Sequence, residues 1–190
     1  MTFLKTTLAA LVVISSAGYA QAQDSREDSG TYGGLSLGGF VTNPDNARDA
    51  ELYTAEAKIG YNFNKYFGVE AQGLIGLNSD EFILGPTIID RKVDYSVSAF
   101  AVARLPVTES FQIFARGGLH STQISVDSTN SVSNGVIREG TIRRSSTETG
   151  LAVGAGAQYD FDKKNAIRAD YTYLDGTNGE TLSLGYIRKF

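Results

Sequence analysis

The chain has 190 residues, with 17 Lys+Arg against 21 Asp+Glu, one His, no Cys and no Trp, for a formal charge of −4. That length holds one domain or two small ones, and the negative balance argues against nucleic acid as a partner, because phosphate binding needs a basic field. The absence of Cys removes disulfide scaffolds, thiolate zinc sites and cysteine nucleophiles.

Residues 1–22 read as a segment apart from the fold. Lys5 precedes an apolar run from Leu8 to Gly18, and Ala20-Gln21-Ala22 is a small-x-small cleavage site. The run is shorter than the roughly 20 residues of a membrane-spanning helix, so it is expected to be a secretory signal peptide cleaved after Ala22. The mature chain, residues 23–190, then works outside the cytoplasm. No later stretch is long and apolar enough for a transmembrane helix, which leaves any membrane role to strands.

From there the sequence repeats one unit, an extended segment with apolar residues at every second position, closed by a turn. The first predicted strand, Tyr32 to Val41, sets Leu35, Leu37 and Val41 against Gly34, Ser36 and Gly38. The second, Glu51 to Phe63, alternates Tyr53, Ala55, Ala57, Ile59, Tyr61 and Phe63 with Thr54, Glu56, Lys58, Gly60 and Asn62. The third, Phe67 to Leu77, opposes Phe67, Val69, Ala71, Ile75 and Leu77 to Gly68, Glu70, Gln72 and Gly76. The fourth, Val93 to Leu105, opposes Val93, Tyr95, Val97, Ala99, Ala101, Ala103 and Leu105 to Asp94, Ser96, Ser98 and Arg104. The fifth places Phe111, Ile113, Ala115 and Leu119 against Gln112, Arg116 and His120. The sixth, Thr147 to Tyr159, places Leu151, Val153, Ala155, Ala157 and Tyr159 against Gly150, Gly154, Gly156 and Gln158. The seventh gives Ile167, Ala169, Tyr171 and Tyr173 against Arg168, Asp170 and Thr172, and the eighth ends the chain with Leu182, Leu184, Tyr186 and Phe190.

The connections alternate in length. Asn64 to Tyr66, Pro106 to Ser110 and Asp162 to Asn165 are tight turns; Asn43 to Ala50, Asn78 to Lys92 and Ser125 to Ser146 are long and polar, and Leu174 to Gly179 is shorter. Short turns at one end and long loops at the other describe an all-β, eight-stranded, up-and-down antiparallel transmembrane barrel, with periplasmic turns and extracellular loops. A soluble barrel or sandwich also alternates, but buries its apolar face. Two features select the inverted arrangement: the polar face mixes Gly and Ser with a few opposite charges, as a narrow lumen needs, and the apolar face carries Tyr and Phe near strand ends, as interfacial girdles would.

The last strand, Leu182-x-Leu184-x-Tyr186-x-Arg188-x-Phe190, resembles the terminal signal of outer-membrane barrels, although Arg188 stands where an apolar residue is usual. Gly150 to Asp175 is similar to the penultimate hairpin of the OmpA-like transmembrane barrels and the wider porin-like outer-membrane β-barrel family. The resemblance implies an outer-membrane location, recognition of Tyr186 and Phe190 by the barrel-assembly machinery, and a monomeric, barrel-only member without a peptidoglycan-binding domain. Lipopolysaccharide and outer-membrane lipids are the implied surroundings, with no cofactor.

The inward set includes Glu56, Lys58, Glu70, Arg104, Arg116, His120, Arg168 and Asp170. Eight strands enclose a lumen just wide enough for side chains, so buried charges there must pair. The acids Glu56, Glu70 and Asp170 with Lys58, Arg104, Arg116 and Arg168 are expected to form a structural plug; the alternative is an ion gate that opens by partner exchange. A wide diffusion pore needs about 16 strands. A lipid-modifying enzyme would need Ser, His and an acid together, but His120 is the only His, Ser121 points to the other face, and Thr122 takes the same-face position. Asp45, Asp49, Asp80 and Glu81 fall in loops without calcium-loop spacing. In the longest loop, Arg138, Arg143 and Arg144 are candidates for lipopolysaccharide phosphates or another surface ligand, since guanidinium forks suit phosphate oxygens. Its Val132, Val136, Ile137 and Ile142 suggest that the hairpin continues beyond the membrane. The expected role is structural, with exposed loops available for adhesion or recognition.

Overall fold

A computed structural model describes residues 29–42, 50–84, 87–130, 140–177 and 179–190. The strands are β1 (Gly30–Thr42), β2 (Ala50–Asn62), β3 (Phe67–Gly76), β4 (Asp80–Leu84), β5 (Thr87–Pro106), β6 (Phe111–Asn130), β7 (Gly140–Asp160), β8 (Asn165–Leu174) and β9 (Gly179–Lys189). Each pairs antiparallel with its neighbour in the order β3-β2-β1-β9-β8-β7-β6-β5-β4, and β3 also pairs with β5. The two non-sequential seams, Tyr32↔Lys189 to Thr42↔Gly179 and Phe67↔Ala103 to Ile75↔Tyr95, close a barrel of eight staves that leaves no open edge within the membrane.

The three tight turns share one local device. Asn64 Oδ1 accepts from the N–H groups of Tyr66 and Phe67, Thr108 Oγ1 from those of Ser110 and Phe111, and Asp162 Oδ1 from those of Lys164 and Asn165. A short polar side chain thus satisfies the backbone where the ladder stops. All three turns lie at one end of the barrel, with Gly30 and Phe190.

The alternation is inverted relative to a soluble barrel, since Leu35 is 70% and Tyr53 71% exposed while Arg168 is 1% exposed. Tyr61, Phe63, Tyr66, Phe67, Tyr159, Phe161, Tyr186 and Phe190 ring the outer wall at the turn end, and Tyr53, Tyr95 and Tyr171 the loop end. These are the two aromatic girdles of a membrane barrel.

Three sequence expectations are corrected. Parity groups Val93 with the outward set, yet it is fully buried in the lumen, because a bulge between Val93 and Tyr95 shifts the register with β6 and turns the strand over by one residue. The stretch 78–92 is not a plain loop: Phe82↔Ile89 and Ile83↔Ile88 pair β4 with the start of β5. Asp80 and Glu81 therefore belong to a strand, because the apolar and β-branched residues around them favour pairing over alternation. The lumen is also not uniformly polar. Tyr32, Phe40, Leu52, Leu74, Phe100, Val102, Phe114, Leu174 and Ile187 are buried inside it.

Beyond the barrel rim three strands, β5, β6 and β7, continue. The β7–β8 pairing stops at Ala152↔Leu174, whereas β6–β7 runs on to Asn130↔Gly140 and β5–β6 to Thr87↔Asn130. With β4 on its far side, this makes a sheet β4-β5-β6-β7 standing above the loop end of the barrel.

Candidate functional site: the charged lumen and the sheet above it

All seven lumen charges predicted from sequence are buried, and six join in one ion-pair cluster. Lys58 Nζ lies 3.0 Å from Glu56 and 2.7 Å from Asp170. Arg168 bridges Glu70 at 2.6 Å and Asp170 at 2.8 Å, and Arg116 bridges Glu70 at 2.8 Å and Asp170 at 3.6 Å. Hydroxyls and an amide fill further valences: Ser183 donates to Glu56, Lys58 donates to Ser36, and Arg116 donates to Gln72 and Thr172. The cluster spans β2, β3, β6 and β8, so it ties opposite staves together across the lumen. Arg104 stands apart. Among the described residues it reaches no carboxylate directly; its Nη2 donates to Tyr32 Oη at 2.9 Å, and Tyr32 donates to Glu70 at 2.7 Å.

The residues that sequence reasoning passed over are the aromatics in the inward phase. Phe114 lies over the Arg168 guanidinium at 3.9 Å, Phe100 over that of Arg116 at 4.5 Å, and Tyr32 beside that of Arg104 at 5.3 Å. A ring face gives a buried guanidinium plane the partner that planar hydrogen bonds cannot supply. Glycine makes room for them: a Cβ at Gly60 would sit 2.3 Å from the Tyr32 ring, and one at Gly156 2.3 Å from the Phe114 ring. The available signal was a break in pattern, an aromatic where the strand expected a polar residue. Towards the loop end Phe40, Leu52, Leu74, Val93, Ala152 and Leu174 belong to one buried apolar cluster with Phe100, Val102 and Phe114; Tyr32, Ala166 and Ile187 form another at the turn end. The charged cluster is thus held between apolar layers.

His120 is buried near the loop end. Its Nε2 lies 2.7 Å from the carbonyl oxygen of Asp175, its Nδ1 3.0 Å from Thr122 Oγ1, and Thr122 lies 2.7 Å from Ser96 Oγ. A carbonyl only accepts, so Nε2 carries the proton and Nδ1 accepts from Thr122. The imidazole therefore faces a carbonyl where a catalytic triad has a carboxylate, and both nitrogens are occupied. Among the described residues no group of three or more His, Cys, Asp or Glu side chains is placed to hold a metal ion.

In the sheet above the rim, Arg143 forks onto Asp127, Nε to Oδ1 at 2.8 Å and Nη2 to Oδ2 at 2.7 Å. The hydrogen bonds from Arg143 hold the Asp127 carboxyl below the usual carboxylate range, and those to Asp127 raise Arg143. Arg144 is exposed one position on, paired with Val126. Arg138, Asp45 and Asp49, like the leader 1–22, lie outside the described residues. Asp162, in a tight turn, is also held below the usual range, by the Asn165 amide first.

The outer membrane protein beta-barrel domain family matches residues 6–190 of the chain. Among solved structures, Ail, the attachment invasion locus protein of Yersinia pestis, superposes with a TM-score of 0.61 at 23% identity, covering 86% of this chain and 99% of that one. Neisserial surface protein A gives 0.60 at 20% identity over 85% and 98%, and OprG from Pseudomonas aeruginosa 0.59 at 13% over 86% and 97%. No curated protein sequence matches the chain. The chain is therefore an integral outer-membrane protein, and it belongs to the outer membrane protein β-barrel family.

Proposed function

We propose that the barrel is a closed structural element of the outer membrane and that the sheet above its rim is the working surface, available for adhesion or ligand recognition. The observation that carries the first half is the lumen: six charges paired with one another, with buried apolar clusters on either side. Partner exchange in such a cluster would strand a buried charge at a cost of several kcal/mol, which disfavours the narrow ion channel. Planar-bilayer recording of the purified mature protein tests this. Silence is expected; a reproducible conductance abolished by Arg104→Gln or Glu70→Gln would install the gate reading instead. Catalysis on lipids is not its work in this reading, because His120 has no free nitrogen; unchanged lipid A acylation on overexpression is the expected result.

The second half rests on the sheet edge. Leu151 accepts from Asp175 on the β8 side, so by alternation the N–H and C=O groups of Thr149, Thr147, Ser145 and Arg143 also point away from β6. Above the rim β7 has no β8 neighbour there. Such an edge is a template for an incoming strand. Ail has been crystallised with the heparin analogue sucrose octasulfate, and an anionic surface ligand of that kind would here meet Arg138, Arg143 and Arg144. Since the Arg143 fork already holds Asp127, Arg144 and Arg138 carry more of that reading. Replacing all three with Gln is expected to lower binding of sulfated glycan or lipopolysaccharide; unchanged binding removes the arginines from the account. Export depends on cleavage after Ala22, and insertion on the barrel-assembly machinery reading Tyr186 and Phe190. Heat-modifiable migration in outer-membrane fractions should be lost when Phe190 is deleted.

A further inference from the structure

The lumen does not balance its charge. Among the described residues it buries Lys58, Arg104, Arg116 and Arg168 against Glu56, Glu70 and Asp170, leaving one cation in excess. The surplus is Arg104, whose one polar side-chain partner among the described residues is the Tyr32 hydroxyl, itself already donating to Glu70. Arg104 is 9% exposed, and its Nη1 has no hydrogen-bond partner among the described residues. Asn62 Oδ1, at the end of β2, is also buried without a partner. Both pack against Gly68: a Cβ built there would lie 2.7 Å from Arg104 Nη1, 2.7 Å from the Tyr61 carbonyl oxygen and 3.1 Å from Asn62 Oδ1. A buried guanidinium donor without an acceptor, in a lumen already one positive charge in excess, is an unsatisfied electrostatic demand. Two residues before Pro106, Arg104 stands at the turn end of β5.

We propose that this corner binds a small inorganic anion of chloride size. Arg104 Nη1 donates to it, and the Asn62 amide, whose oxygen is unpartnered as it stands, turns over to present Nδ2 as a second donor. Tyr32, bridging Arg104 and Glu70, keeps the guanidinium from swinging into the main ion-pair cluster, so the anion completes the plug at its periplasmic end.

The test uses the mature barrel refolded in zwitterionic detergent without phospholipid, with chloride as the probe. Excess 35Cl line broadening should appear with the protein and saturate, and the temperature of the folded-to-unfolded gel shift should rise when gluconate is replaced by chloride at equal ionic strength. Arg104→Gln should abolish both responses. Asn62→Asp places a carboxylate beside the orphaned donor as a built-in counter-ion; it should fold, match or exceed the parent in heat resistance, and lose both chloride responses. Because this variant adds a partner, it decides the matter even if Arg104→Gln does not fold. Broadening equal in the parent and Asn62→Asp, or no chloride response in the parent, overturns the proposal and leaves a bridging water between Arg104 and Asn62.

Discussion

Two arginine–carboxylate contacts of nearly the same length have different surroundings. Arg168 meets Glu70 at 2.6 Å with side chains 1% and 0% exposed; Arg143 meets Asp127 at 2.7 Å with side chains 74% and 25% exposed. In the lumen neither partner has water to turn to, so each depends on the other, and the pair is further tied to Asp170, Arg116 and the Phe114 ring. In the sheet both partners exchange freely with solvent and salt, and an exposed pair contributes little. Burial therefore sets what an ion pair does here: the lumen cluster fixes the barrel across its staves, while the Arg143 fork biases the order of one hairpin.

Breaking the buried side should have the largest effect. Glu70→Gln leaves Arg116 and Arg168 only Asp170 to share, and should cost about 3–5 kcal/mol, read as a drop in the unfolding midpoint of the micelle-bound barrel. A smaller loss sharpens the contrast from within the lumen: Tyr32→Phe removes the hydroxyl joining Arg104 to Glu70 and leaves both with a missing partner, for about 1–3 kcal/mol. On the exposed side, Arg143→Gln should leave the global midpoint unmoved and only speed amide exchange around Asp127 and Arg143; a shift of the whole transition would erase the distinction.

The smallest effect is that of pH on the same hairpin. The carboxyl of Asp127 is depressed in the folded state by Arg143. Its contribution is thus fully present above the unfolded value of about 4 and is lost as pH falls through the lower folded value. Amide protection of the β6–β7 hairpin above the rim should decline in that acid window while barrel protection holds, and Asp127→Asn should remove the pH dependence.

Much of the barrel was legible because a membrane wall demands strict parity: with lipid outside, every second residue of a stave must be apolar, and a run such as Tyr53 to Phe63 declares its faces without reference to any neighbour. The seven lumen charges were legible for the same reason, as polar residues in the inward phase. Parity is a local count, however, and it fails wherever the count slips. Val93 was assigned to the wrong face because one bulge reverses the phase, and β4 was missed because a sheet above the membrane is not bound to alternate.

By itself the sequence determined which residues alternate, where the chain turns through Asn64, Thr108 and Asp162, and which charges the lumen would receive. Only the tertiary structure decided which charge meets which. Barrel closure brings Lys58 on β2 against Asp170 on β8, and the strand register stacks Phe114 on Arg168. Among the described residues it also gives Arg104 a tyrosine hydroxyl rather than an acid. Those outcomes depend on stagger and on distance across the lumen, quantities that exist only once the sheet has closed.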